Sequence, residues 1–147
     1  NLEESSLSAS NFYIVILSLI QDITDDLEYI VKKSYKHINN DHSKLKLSQV
    51  RDLQSVYELT EAVFHEAMEA YKNNSEAKIN LVLENRGDIL KQLDEKINNQ
   101  IELTRNEETS PKNTTLYFNI LLKSKDLYLH KLSIMQTFLD NIRKIES

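Results

Sequence analysis

The sequence predicts an all-α protein, and three observations carry that prediction. The 147-residue chain contains one glycine, Gly87, and one proline, Pro111, so it has little material for the tight turns of a β-sandwich or barrel. Its apolar residues recur at steps of three and four along four long segments, which is typical of amphipathic helices. Short polar stretches separate these segments and favour an antiparallel up-down four-helix bundle with long helices. We expect one domain, residues 1–147.

The first helix is predicted over about residues 6–39, and the turn-forming sequence NNDHS ends it. Its apolar stripe contains Phe12, Ile16, Leu19, Ile23, Leu27 and Ile30. In its first turns Tyr13, Ile14 and Leu17 point away from this stripe and are nevertheless apolar. A helix that is apolar all round is either buried all round or meets a partner. These three residues are therefore the candidate interaction surface.

The second helix is predicted over about residues 48–72, with Ser48 as its N-cap and Asn73 at its end. The third helix is predicted over about residues 76–105, where Gly87 indicates close packing or a kink rather than a break. Their apolar stripes are Leu53, Tyr57, Thr60, Phe64, Ala67 and Tyr71 in the second helix, and Ile79, Leu83, Ile89 or Leu90, Leu93 and Ile97 in the third.

The fourth helix is predicted over about residues 111–145 and follows the break NEETSPKN, because Ser110 and Pro111 are typical of an N-cap and the first helical residue. Its wide apolar arc contains Leu116, Tyr117, Ile120, Leu121, Leu127, Leu132, Ile134, Met135, Phe138, Leu139 and Ile145. Lys131 falls inside this arc. We expect its ammonium group to reach the edge of the arc or to pair with an acid such as Asp26.

Charge and composition argue against several classes of function. The net charge is −5 and there is no block of basic residues, so we expect no nucleic-acid partner. The longest apolar stretch, residues 12–20, is about half a membrane span, so no segment of this chain is expected to cross a membrane. The chain has no cysteine, no glycine-rich phosphate loop and no nucleophile elbow, and we do not expect an enzyme.

Four acids and a histidine are candidates for a metal site. Asp22, Asp25 and Asp26 lie in the first helix, while Asp126 and His130 are four residues apart in the fourth. Side chains four apart share a helix face, and carboxylates with an imidazole suit zinc or iron. The acids of the first helix and the pair Asp126 and His130 of the fourth helix would form one site if these two helices faced each other at mid-length. Otherwise these residues are solvated surface charges, and no cofactor is expected.

Three stretches resemble one known family. The segment SLIQDITDDLEYIVKK resembles the helix of PhoU-like phosphate-uptake regulatory proteins that carries a Glu/Asp-x-x-x-Asp motif. Here Gln21 stands where the family has its Glu, and Asp25 stands at its Asp. The stretches YKHINNDHSKLKLSQ and LYFNILLKSKDLYLHKLSIMQTF are similar to a helix end and to the last helix of the PhoU-like tails of bacterial sodium/phosphate cotransporters.

The resemblance implies a soluble helical regulatory domain at the cytoplasmic face of the inner membrane. This domain would follow the membrane part of a sodium-dependent phosphate transporter, which a chain beginning at Asn1 rather than Met would fit. Its partners would be that membrane part or a second copy of the domain.

Full-length PhoU-like proteins also bind iron or zinc clusters through paired acids, but Gln21 replaces one acid here, and an amide is a poorer ligand. Two alternatives stay open: a divalent-metal-binding carboxylate bundle and a free-standing PhoU-like phosphate-signalling adaptor.

Overall fold

The computed structural model describes residues 2–106 and 110–147, and all regular secondary structure in that part of the chain is helical. The helices are α1 (Leu2–Asn39), α2 (Leu47–Lys72), α3 (Glu76–Glu84), α4 (Arg86–Asn106) and α5 (Pro111–Glu146). The predicted all-α class is confirmed. The predicted break NEETSPKN includes residues 107–109, which lie outside the described residues.

Most helix ends agree with the sequence signals. Ser110 is the N-cap of α5, its hydroxyl accepts the Asn113 N–H at 3.5 Å, and Pro111 is the first helical residue. The first helix begins at Leu2, about one turn before the predicted start. The prediction of Ser48 as an N-cap is wrong. The N-cap of α2 is Lys46, whose N–H donates to the Gln49 side chain at 2.9 Å.

The third predicted helix is interrupted at Asn85, which separates α3 from α4. Backbone hydrogen bonds continue through this point, since the Asn85 N–H donates to Leu81 and the Asn85 carbonyl accepts from Ile89. The expectation of close packing at Gly87 is wrong, because a Cβ there would meet no atom within 4 Å. An exposed glycine tolerates an irregular helix turn without any need for close packing.

Helix α5 is the centre of the fold and contacts each of the other four helices, most extensively α1. Phe12 of α1 lies 6.3 Å from Phe138 between ring centroids, and Asp26 contacts His130, so α1 and α5 run in opposite directions. Tyr71 stacks on Phe138 at 4.0 Å, near the other end of α2 from the contact of Asp52 with Tyr117. Helices α2 and α5 therefore run in the same direction.

The core contains apolar residues of α2, α3, α4 and α5, while α1 contributes half-buried side chains at its edge. The predicted apolar stripes are largely buried or half-buried. Three of their members are exposed instead: Leu27, Tyr57 and Ile145. In α1 the buried position at this level belongs to Asp26, one residue away from Leu27.

The connection between α1 and α2 is tied to the start of α5. The Asn113 side-chain amide donates to the Lys44 carbonyl at 2.8 Å. Two residues of the inter-helix turns have positive φ, Asp41 at 57° and Asn74 at 51°. Asp and Asn tolerate this left-handed region better than other side chains. The asparagine- and aspartate-rich turns predicted at these places are thereby explained.

Candidate functional site

The longest exposed surface on α1 is apolar. We call it the outer face of α1; its residues are Tyr13, Ile14, Leu17, Ile20, Leu27, Val31, Tyr35 and Ile38, and all of them are exposed. They follow one another mostly at steps of three and four, which keeps them on one side of the helix. At 1.5 Å per residue this stripe is about 37 Å long.

The three predicted interaction residues lie at the N-terminal end of this outer face. Tyr13, Ile14 and Leu17 are 65%, 64% and 65% exposed, respectively. Phe12, their neighbour, instead turns inward and lies against Tyr71 and Phe138. Within two helix turns, α1 therefore carries one aromatic residue that packs in the bundle and three large apolar residues that are exposed.

The opposite side of α1 carries a polar cluster at its contact with α5. The His130 Nδ1–H donates to Asp26 Oδ2 at 2.6 Å, and Asp22 Oδ2 lies 4.0 Å from His130 Nε2. The Lys123 ammonium is 3.6 Å from Asp26 Oδ1 and 4.7 Å from the centroid of the Tyr29 ring. We call Asp22, Asp26, Lys123 and His130 the Asp26 cluster.

Asp26 is the only buried acid among the described residues, with 5% of its surface exposed. A buried carboxylate is costly unless charged or hydrogen-bonding groups surround it. His130 and Lys123 supply one such group to each of its oxygens. The Asp26 cluster thus fixes the position of α1 along α5 through a directional contact that apolar packing alone lacks.

The other two predicted metal-site residues, Asp25 and Asp126, are exposed, and Asp126 borders this cluster only through Lys123. Asp25 is exposed and accepts a hydrogen bond from the Gln21 amide at 2.8 Å. Asp126 is also exposed and lies 3.6 Å from the Lys123 ammonium, on the solvent side. Of the five predicted residues, only Asp22, Asp26 and His130 come together. Among the described residues, no group of three or more His, Asp or Glu side chains is arranged to hold a metal ion.

Lys131 is the one buried lysine of the described chain, and it pairs with an acid as expected, although that acid is not Asp26. The ammonium group pairs with Glu61 of α2, not with Asp26, and lies 5.2 Å from the Phe64 ring centroid. A long lysine stem crosses the apolar arc of α5, and its charge is neutralised at the edge.

Sequence reasoning missed several polar residues that turn inward, among them Lys123, which contacts Asp26, and His37. His37 is buried in the last turn of α1, where its Nε2–H donates to the Ser43 carbonyl at 2.8 Å. The helical spacing of α1 could have predicted that Asp26 and His37 face inward. Counting in steps of three and four from Ile23 leads to Asp26, then to Ile30 and, two steps later, to His37, so both polar residues lie on the inner stripe.

By length and composition alone, α1 qualifies as a membrane span. It contains an 18-residue window with a mean hydropathy of 1.3, and none of that window is buried. Signal sequences and core helices of globular proteins meet the same two criteria. The expectation that no segment of this chain crosses a membrane therefore stays a prediction.

Comparisons with known proteins identify no relative of this chain. No protein-family model matches the chain, and neither a curated protein nor a solved structure matches it.

Proposed function

We propose that this chain is a non-enzymatic regulatory domain that acts by helix contacts through the outer face of α1. The single observation that carries the proposal is the exposure of large apolar side chains along that face. Contiguous exposed apolar surface beyond a few hundred Å² marks interaction sites in soluble proteins. The chemistry of the described residues supplies no competing feature of similar extent.

The identity of the regulated protein rests on the resemblance to PhoU-like tails. On that basis the proposal includes a PhoU-like up-down bundle at the cytoplasmic face of a sodium-dependent phosphate transporter. The partner of the outer face is the membrane part of that transporter or a second copy of the domain. Helix α1 suits such a partner because its Asp26 cluster holds the inner face on α5 while the outer face stays open.

A double substitution, Ile14→Lys/Leu17→Lys, tests the docking role. We expect it to weaken self-association or docking on the transporter, measured by sedimentation velocity and by co-purification, without loss of helicity by circular dichroism. The matched control is Leu81→Lys/Leu103→Lys, which makes the same charge change at exposed residues of α3 and α4. Equal behaviour of the two variants, or loss of helicity in the first, would contradict the proposal.

The sequence of the full gene product that contains this chain gives an independent test of the transporter assignment. If the protein is a transporter tail, the gene product carries several apolar spans before Asn1. A gene product in which no such spans precede this domain would leave a free-standing adaptor instead. The docking role of α1 would still be tested by the lysine variants.

A divalent-metal-binding bundle remains the second candidate, because Asp22, Asp26 and His130 do converge. The short hydrogen bond between His130 and Asp26 leaves no room for an ion between these two groups, and Lys123 repels a cation nearby. Elemental analysis of protein purified without chelator decides between the candidates. Stoichiometric iron or zinc that disappears in Asp22→Ala/Asp26→Ala would favour the metal-binding function.

A further inference from the structure

The end of the bundle farthest from Tyr13 contains an apolar cleft. It lies between the last turns of α1, the α1–α2 connection and the starts of α2 and α5, and its volume is about 530 Å³. Its aliphatic walls are Ile38, Leu45, Val50, Leu116 and Ile120. Asp41 and Lys44, which also line it, carry opposite charges and offset each other. We call this space the basal cleft.

A second, basic pocket of about 190 Å³ adjoins the basal cleft. The two share His37, His42 and Leu116 as lining residues, and the two histidine rings lie 5.0 Å apart between centroids. Lys33, Lys36 and Lys112 line the basic pocket, and no described lining residue is acidic. In a chain of net charge −5, this is a local concentration of positive charge.

The three lysines are available to a ligand. None of them forms an ion pair in the part of the chain that the structure describes, although Lys33 lies 5.4 Å from the Tyr29 ring centroid. Their mutual repulsion is unfavourable without a counter-charge. An anion placed among them would gain charge-assisted hydrogen bonds and relieve that repulsion.

We propose that the basal cleft binds a single-chain amphipathic anion, such as a fatty acid, with its alkyl chain against the aliphatic walls and its head group among Lys33, Lys36 and Lys112. The volume lies within the range of about 300–1,000 Å³ that small-molecule sites occupy. A purely inorganic anion would leave the apolar walls in water, and an uncharged hydrocarbon would leave the lysines unmatched. The amphipathic anion satisfies both halves of the site.

This inference is independent of the proposed docking role. The basal cleft lies about 24 residues along α1 from Tyr13, or about 36 Å at the rise of an α-helix. Different side chains carry the two proposals, apart from Ile38, which belongs to both surfaces.

Calorimetric titration with dodecanoate, octanoate and dodecyltrimethylammonium, each below its micelle concentration, tests the proposal. We expect dodecanoate to bind with one-to-one stoichiometry and octanoate to bind at least about tenfold more weakly, because each buried methylene contributes to affinity. The cationic amphiphile should not bind. Equal binding of the anionic and cationic twelve-carbon amphiphiles would overturn the proposal.

Variants locate the binding. Lys33→Gln/Lys36→Gln should weaken dodecanoate binding about tenfold or more at low salt, whereas Lys78→Gln/Lys91→Gln, an equal charge change at exposed sites, should leave it unchanged. Val50→Asp, at an exposed wall position, should abolish binding without loss of helicity. The docking variant Ile14→Lys/Leu17→Lys should bind dodecanoate normally. Loss of binding in that variant would assign the amphiphile to the outer face of α1 and overturn the proposal.

The same variants distinguish a free amphiphile from a membrane surface. Co-sedimentation with phosphatidylglycerol vesicles that depends on Lys33 and Lys36, in a protein that does not bind monomeric dodecanoate, would show lipid-surface docking instead. That result would also overturn the proposal.

Discussion

Helices α1 and α5 have nearly the same length but opposite roles in the fold. Helix α1 has 38 residues, of which two are buried, Asp26 and His37, and both are polar. Helix α5 has 36 residues, of which thirteen are buried, most of them apolar. Yet the longest apolar run of the sequence lies in α1. Apolar content therefore does not decide which helix forms the core; contact with neighbours on several sides does.

The difference explains how one chain can be stable and keep an apolar surface open. Helix α5 is surrounded by the four other helices, and its burial holds the bundle together. Helix α1 is fixed on one side only, by half-buried apolar residues and by the Asp26 cluster. Its other side is exposed, and we expect that side to contribute little to the free energy of unfolding.

The largest contrast is expected from truncating one leucine in each helix. Leu121→Ala, at a fully buried position of α5, should lower the free energy of unfolding by about 2–5 kcal/mol. Leu17→Ala, on the outer face of α1, should lower it by less than about 0.5 kcal/mol. Urea denaturation followed by circular dichroism measures both. A similar loss in the two variants would mean that the outer face is covered in the folded protein.

The second contrast concerns two acids of α1 that are adjacent in sequence. Asp26→Ala removes the partner of His130 and Lys123 and should cost about 1–3 kcal/mol of unfolding free energy. Asp25→Ala removes an exposed carboxylate and should cost less than about 0.5 kcal/mol. The same denaturation experiment applies, and equal costs would show that the Asp26 cluster does not hold α1 on α5.

Alkaline pH tests the burial of α5 directly. Burial raises the pKa of Tyr128 to about 12, although Arg86 opposes the shift, and burial together with Asp52 raises the pKa of Tyr117 further. Above pH of about 10 the unfolded chain loses these phenolic protons while the folded chain keeps them. The stabilising contribution of these two tyrosines is therefore complete below this pH. As the pH rises further, the free energy of unfolding falls by up to about 1.4 kcal/mol per pH unit for each tyrosine.

Tyr128→Phe should remove the Tyr128 part of this alkaline loss. The Tyr128 hydroxyl has no hydrogen-bond partner among the described residues, so the substitution should not destabilise the protein at neutral pH. Denaturation curves at several alkaline pH values provide the test. An unchanged pH slope in Tyr128→Phe would show that Tyr128 ionises freely in the folded state.

The smallest contrast lies between the two sides of α1 itself. Ile23→Ala, on the half-buried inner side, should cost about 1–2 kcal/mol of unfolding free energy. Leu27→Ala, on the outer face, should cost less than about 0.5 kcal/mol. The reverse order of costs would restore Leu27 to the core, where the predicted apolar stripe of α1 had placed it.

Local signals in the sequence were enough for the helices. The steps of three and four between apolar residues predicted the helical segments, because residues at this spacing lie on one face of an α-helix. The pair Ser110–Pro111 predicted the start of α5 correctly, since an N-cap and a first-turn proline act within a few residues. The all-α class and most helix ends follow from such local physics.

Only the tertiary structure decided which apolar residues are buried and which polar residues pair. Leu27 and Asp26 are neighbours in sequence, and the placement of His130 and Lys123 on α5 determines which of them faces inward. Likewise Lys131 pairs with Glu61 because α2 lies beside α5, a contact between residues seventy positions apart. Helix periodicity is set by a few adjacent residues, whereas the partner of each face depends on how whole helices are arranged in space.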